Sequence, residues 1–74
     1  MENKLKSIRN EHHITQVELA DLLDVSQQLV AAWEKGRSTP RPLQMQGIEE
    51  YFNVPKEEIF FGAFNYKIEL KKTM

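Results

Sequence analysis

Thr15-Gln16-Val17-Glu18-Leu19-Ala20, followed by Val25-Ser26-Gln27-Gln28 and closed by Trp33-Glu34-Lys35-Gly36, encodes two short helices back to back. Thr15 stands where a hydroxyl accepts from orphan N–H groups at a helix start. Glu18, three residues on, completes an S/T-x-x-E capping box, and Ile14 with Leu19 forms a hydrophobic staple. The first helix of the pair therefore starts at Gln16. Leu19, Leu22 and Leu23 recur at helical spacing, and Ala20 is small enough to admit a neighbouring helix closely. Asp24, which tolerates the left-handed conformation less easily than glycine, ends it.

The same signals return two residues later. Ser26 is a good N-cap and Val25 pairs with Val30 as a second staple, so a helix is expected from Gln27 to about Lys35, ended by Gly36. Helices this short are marginal alone. Only Asp24 and Val25 lie between them, which forces a steep crossing of helix-turn-helix type. Val30 and Trp33 point inward at i, i+3 and leave Gln27, Gln28, Ala31 and Ala32 mostly outside. Two amides and two methyls on an exposed face suit the edges of bases better than they suit solubility. Glutamine can pair bidentately with adenine N6 and N7, and Leu29 either completes the core or offers methyls to thymine.

Residues 3 to 60 resemble the helix-turn-helix family of lambdoid phage Cro proteins and repressors. The resemblance is carried by Leu5-x-x-Ile8-Arg9, Thr15-Gln16-x-Glu18-Leu19-Ala20, Val25-Ser26, Trp33-Glu34-x-Gly36, Pro40 and Val54-x-x-x-x-Ile59-Phe60. It implies an all-α, five-helix repressor-type bundle whose third helix reads the major groove of double-stranded DNA. It also implies that Gln16 meets a phosphate and that Arg9 and Glu34 form a partly buried ion pair between the first helix and the end of the third. Three departures stand out: Asp24 replaces the usual turn glycine, Glu49 replaces a small apolar residue, and Gly47 is expected to interrupt the fourth helix.

The expected base contacts are Gln27, Gln28, Leu29 and Ala32; the expected phosphate contacts are Gln16, Ser26, Lys35, Arg37 and Arg41. The formal net charge of −1 at pH 7 is unusual for a nucleic-acid binder. Its distribution matters more. Between Gln27 and Gln46 the chain carries Lys35, Arg37 and Arg41 against Glu34 alone, while acids gather at Glu49-Glu50 and Glu57-Glu58. If Glu34 is buried or paired, the field around the second helix of the pair is positive, and phosphates respond to the local field. Lys35 also complements a helix C-terminus, whereas Arg37 and Arg41 lie on the loop to Pro42, where phosphate or minor-groove contact is the better explanation.

Seventy-four residues make one small domain, which buries only about 60–65% of the surface its unfolded chain exposes. A dimer partner would help such a chain. There is no cysteine, which excludes disulfides and Cys-based zinc sites and fits a reducing compartment. The charged start Met1 to Asn10 has no apolar h-region, and no apolar run is long enough to span a bilayer, so a cytoplasmic protein without a membrane partner is expected. His12 and His13 are adjacent, diverge by about 100° on a helix and cannot hold one metal together. No nucleophile, base or glycine-rich phosphate loop appears at motif spacing. Neither an enzyme nor a cofactor is expected.

Pro55-Lys56-Glu57-Glu58-Ile59-Phe60 reads as a short fifth helix with proline in its first turn. Beyond it, Phe64, Tyr66, Ile68 and Leu70 alternate with Asn65, Lys67, Glu69 and Lys71, a strand pattern, although helical spacing also pairs Phe64 with Ile68 and Tyr66 with Leu70. A lone strand needs a partner. The chain thus divides into a helix-turn-helix domain, 1–62, and a C-terminal extension, 63–74, for dimerisation, with Ile59, Phe60, Phe64, Tyr66, Ile68 and Leu70 as candidate interface residues. Two functions remain open at this point. One is a homodimeric transcription regulator, a repressor on a two-fold operator. The other is an antitoxin-like module that adds its tail as a strand to a second protein and regulates itself by binding DNA.

Overall fold

The computed structural model describes residues 3–62, which form five helices and no strand. They are α1 (Leu5–Glu11), α2 (Gln16–Leu23), α3 (Gln27–Glu34), α4 (Pro42–Phe52) and α5 (Lys56–Ile59). None is long enough to persist alone in water. What holds them is one apolar core to which every helix contributes: Leu5 and Ile8, Leu19 and Ala20, Val30 and Trp33, Met45, Ile48 and Phe52, and Ile59 with Phe60. Trp33, the largest of the fully buried side chains, is 1% exposed. Full burial of a large apolar side chain stabilises by about 1.5–3 kcal/mol, so the core outweighs the weak propensity of each helix.

Three joints are built alike. His13, Asp24 and Asn53 each adopt φ 57°, the left-handed conformation that lets the next N–H turn back onto the helix just ended. Ile14 then donates to the Arg9 carbonyl oxygen at 3.2 Å, Val25 to Ala20 at 3.0 Å and Val54 to Glu49 at 3.3 Å. Each of these donors is β-branched and packs on the core, with Ile14 buried and Val25 and Val54 half-buried. The next residue, Thr15, Ser26 or Pro55, is the N-cap of the following helix. A polar residue, an apolar residue and a cap therefore suffice to redirect the chain. Asp24 does what was expected of it without glycine's freedom.

Several expectations are corrected. Leu22 is 50% exposed, because the core side of α2 is centred between Leu19, Ala20 and Leu23, and Leu22 projects well away from it. Gly47 does not interrupt α4, which runs unbroken from Pro42 to Phe52. Its missing Cβ makes room for α2, since a Cβ there would lie 3.2 Å from Leu23 Cδ2. Glu49 is half-buried and used: its Oε2 accepts from the Lys56 backbone N–H at 2.9 Å and its Oε1 lies 3.7 Å from Lys56 Nζ. It thereby serves the start of α5, where Pro55 is the N-cap rather than a first-turn residue and has no side-chain acceptor.

His12 is more than a loop residue. It caps the C-terminus of α1, its Nδ1 donates to the Ile8 carbonyl oxygen at 2.9 Å, and its ring meets Phe52 edge-on at 4.8 Å. Ile59 and Phe60, expected at a dimer interface, are both 0% exposed within the protomer, where they close the core under α1 and α4. They offer no surface to a second copy. The remaining interface candidates, Phe64, Tyr66, Ile68 and Leu70, and with them the extension 63–74, lie outside the described residues.

Candidate nucleic-acid interface

The α2–α3 unit is pinned at both helix starts. Thr15 Oγ1 accepts from the Glu18 N–H at 3.1 Å while Glu18 Oε1 accepts from the Thr15 N–H at 2.8 Å, a complete capping box. Ser26 Oγ accepts from the Leu29 N–H at 3.1 Å. Val30 and Trp33, 0% and 1% exposed, anchor α3 in the core. At about 100° per residue, Gln28, Ala31, Ala32 and Lys35 then share the opposite face. With Arg37 they line an open concavity of about 240 Å³ that contains two cations and no acid.

The start of α3 is coupled to the core by a chain of hydrogen bonds. Arg9 Nε donates to Glu34 Oε2 at 2.6 Å and Arg9 Nη2 to Glu34 Oε1 at 3.3 Å, while Arg9 Nη1 donates to the Ile14 carbonyl oxygen at 2.9 Å. Gln16 Nε2 donates to the same Glu34 Oε1 at 3.0 Å, and Gln27 Nε2 donates to Gln16 Oε1 at 3.3 Å. The Arg9 and Glu34 side chains are only 10% and 3% exposed. Glu34 is therefore neutralised inside the protein and does not oppose the cations outside. Among the described residues, Lys35, Arg37 and Arg41 take part in no ion pair, and all three are exposed.

The other expected site residues fall as follows. Gln27 and Gln28 are exposed at the first turn of α3; Ala32 is half-buried at the concavity; Leu29 leans onto the core. Arg41 is the N-cap of α4, its backbone N–H held by Gln44 Oε1 at 2.8 Å. One contributor, Asn3, escaped the sequence reading of the site, and Ala31, read there as part of the exposed face but not as a base contact, belongs to the concavity. Ala31 lines the concavity beside Gln28, a position that the i, i+3 spacing from Gln28 already indicated. Asn3 donates from Nδ2 to the Trp33 carbonyl oxygen at 2.8 Å and accepts the Leu5 N–H at 3.1 Å, bracing the end of α3 against the start of α1. Its only signal was an Asx residue two places before a helix. No group of three metal-ligating side chains is found among the described residues, and none of their helices is long and apolar enough to cross a membrane.

Two capped helices joined by a left-handed Asp24, with the second presenting an amide-and-methyl face flanked by cations, define a helix-turn-helix protein. Residues 5–59 match the helix-turn-helix family, and the chain belongs to it, in the branch typified by phage repressors and Cro proteins. It is similar to MJ0272 of Methanocaldococcus jannaschii, described as an uncharacterized HTH-type transcriptional regulator, with 43% identity over 60 residues, 81% of this chain and 91% of that protein. It is also similar to BcrR of Enterococcus faecalis, an HTH-type transcriptional activator, with 32% identity over 59 residues, 80% of this chain but 29% of that protein.

Proposed function

We propose that this chain is a sequence-specific double-stranded-DNA-binding transcription regulator that acts from the cytoplasm as a homodimer on a two-fold operator. The observation that carries this reading is the outer face of α3, where Gln28, Ala31 and Ala32 stand beside Lys35 and Arg37 with Glu34 withdrawn into the core. α3 lies in the major groove, with Gln27, Gln28 and Ala32 toward base edges and Leu29 contributing to the core. Gln16, Ser26, Lys35, Arg37 and Arg41 hold phosphates. Gln16 keeps one amide proton beyond its bond to Glu34, and Ser26 keeps its hydroxyl proton beyond its cap, so both still have a donor for a phosphate oxygen.

The regulator acts as a repressor: an operator that overlaps a promoter is silenced by occupancy alone, which asks nothing of the protein beyond DNA binding. The family membership supports DNA as the partner, and the two relatives' descriptions support transcription as the process. Selection of bound sequences from random double-stranded DNA tests the reading. The expected result is a two-fold motif with half-sites one helical turn apart, about 34–36 Å. Recovery of random sequence, with affinity depending on salt alone, would replace it with a nonspecific binder.

A further inference from the structure

We infer that Asn3, which lies outside the α2–α3 unit, is a positioning residue for DNA phosphates: through the Trp33 carbonyl oxygen it fixes the turn that carries Lys35 and Arg37. The inference rests on the proposed phosphate contacts of those two cations. α3 ends in a paired turn, in which the Arg37 N–H donates to the Ala32 carbonyl oxygen and the Gly36 N–H to that of Trp33, both at 3.0 Å, with Gly36 at φ 76°. Lys35 is the C-cap of the helix and Arg37 closes the turn. Both charges therefore take their places from this turn.

Asn3 grips the same turn. A carbonyl oxygen has two lone pairs, and that of Trp33 takes the Gly36 N–H and, at 2.8 Å, Asn3 Nδ2. The other end of the amide is fixed too, because Asn3 Oδ1 accepts the Leu5 N–H at 3.1 Å. The backbone beside it is held in turn, since Lys4 donates its N–H to the Ile59 carbonyl oxygen at 2.8 Å. α1 and α5 thus supply a firm base for the brace. Helix ends fray, and this one carries two cations that must meet phosphates at a set spacing. The two ends of the Asn3 amide have separable duties: Oδ1 serves the start of α1, and Nδ2 serves the end of α3.

The test compares Asn3→Ser and Asn3→Ala in the full chain, by binding to double-stranded DNA across a salt series well below each melting temperature. Serine still accepts from the N–H two residues on, adds no charge, and ends a bond short of Trp33; alanine loses both contacts. Both variants should bind every sequence about two- to tenfold more weakly, the range of one net hydrogen bond written as a ratio. The slope of log affinity against log salt should fall by up to about one, with base discrimination kept. Asn3→Ala should melt below Asn3→Ser. With Lys35 and Arg37 both replaced by alanine, a background that should itself bind more weakly than wild type, Asn3→Ser should cost no further affinity. A purely structural Asn3 would lower the melting temperature and leave affinity and salt slope of the folded protein unchanged. Circular dichroism establishes folding; if Asn3→Ala is unfolded, Asn3→Ser decides alone.

Wild-type affinity and slope in Asn3→Ser overturn the inference, and so does a loss as large in the double-alanine background as in the native one. Failure of the underlying reading looks different: the double-alanine background would then bind as wild type does, and the positioning role would fall with the phosphate contacts. The brace has its own readout without DNA. Backbone amide exchange in the free protein should be faster at Gly36 and Arg37 in Asn3→Ser than in wild type, and unchanged exchange at both would refute it.

Discussion

Arg9 Nε lies 2.6 Å from Glu34 Oε2, joining the last turn of α1 to the last turn of α3 within a nearly dry environment. Removing one member of such a pair leaves an uncompensated charge, which costs about 3–5 kcal/mol, whereas exchanging both for apolar groups is often neutral. Arg9→Met should therefore destabilise by about 3 kcal/mol, a large share of the roughly 4–11 kcal/mol expected of a domain this size. Arg9→Met with Glu34→Leu should recover part of it but not all, because the Ile14 carbonyl oxygen and the Gln16 amide lose partners too. Urea midpoints check both; a double variant no better than the single would show that the pair itself is not the source.

Gly47 offers a second handle on stability. Alanine is favoured over glycine inside a helix by about 1 kcal/mol. Its methyl would come within 3.2 Å of Leu23 Cδ2, the end of a half-buried side chain with room to swing. Gly47→Ala should thus stabilise by about 0.5 kcal/mol, while Gly47→Val, which adds bulk against the same neighbour, should destabilise by about 1–3 kcal/mol. Thermal melts of the two variants moving in the same direction would contradict this account of the α2–α4 contact.

Gln28 lines the concavity and stands exposed in the first turn of α3. Gln28→Ala should cost about 1–3 kcal/mol on the preferred operator and flatten discrimination at one position per half-site, leaving nonspecific affinity almost unchanged. Competition binding against single-base operator variants measures it. Equal losses on every sequence would reassign Gln28 to the backbone.

Arg37 and Arg41 stand exposed on either side of the loop between α3 and α4. Replacing either with alanine should weaken binding to all sequences alike and reduce the slope of log affinity against log salt by about one per lost phosphate contact. A slope unchanged from wild type would leave the arginine as a solvated loop charge.

Since Ile59 and Phe60 are buried in the core, the proposed dimer is expected to form through the remaining sequence candidates, Phe64, Tyr66, Ile68 and Leu70. Truncation after Gly62 leaves the core residues Leu5 to Phe60 intact and should preserve the helical circular dichroism signal while abolishing dimers and cooperative operator binding. Sedimentation of the truncated chain as a dimer would move the interface to another face.

The local features of this protein were decided by its sequence alone. Capping at Thr15 and Ser26, the left-handed turn at Asp24, the stop at Gly36 and the inward pair Val30 and Trp33 each depend on residues within one or two helical turns, so periodicity and cap chemistry suffice to read them. Arg9 and Glu34 were matched only through resemblance, because nothing in the spacing of residues 25 apart requires them to meet. The tertiary structure decided the rest. Gly47 reads as a helix breaker until α2 is laid against it, Glu49 as a misplaced charge until the Lys56 N–H reaches it, and Ile59 and Phe60 as spare apolar surface until the core closes over them. The hydrogen-bond chain from Glu34 through Gln16 to Gln27 belongs to the same group, since nothing in the spacing of these three residues requires their side chains to meet.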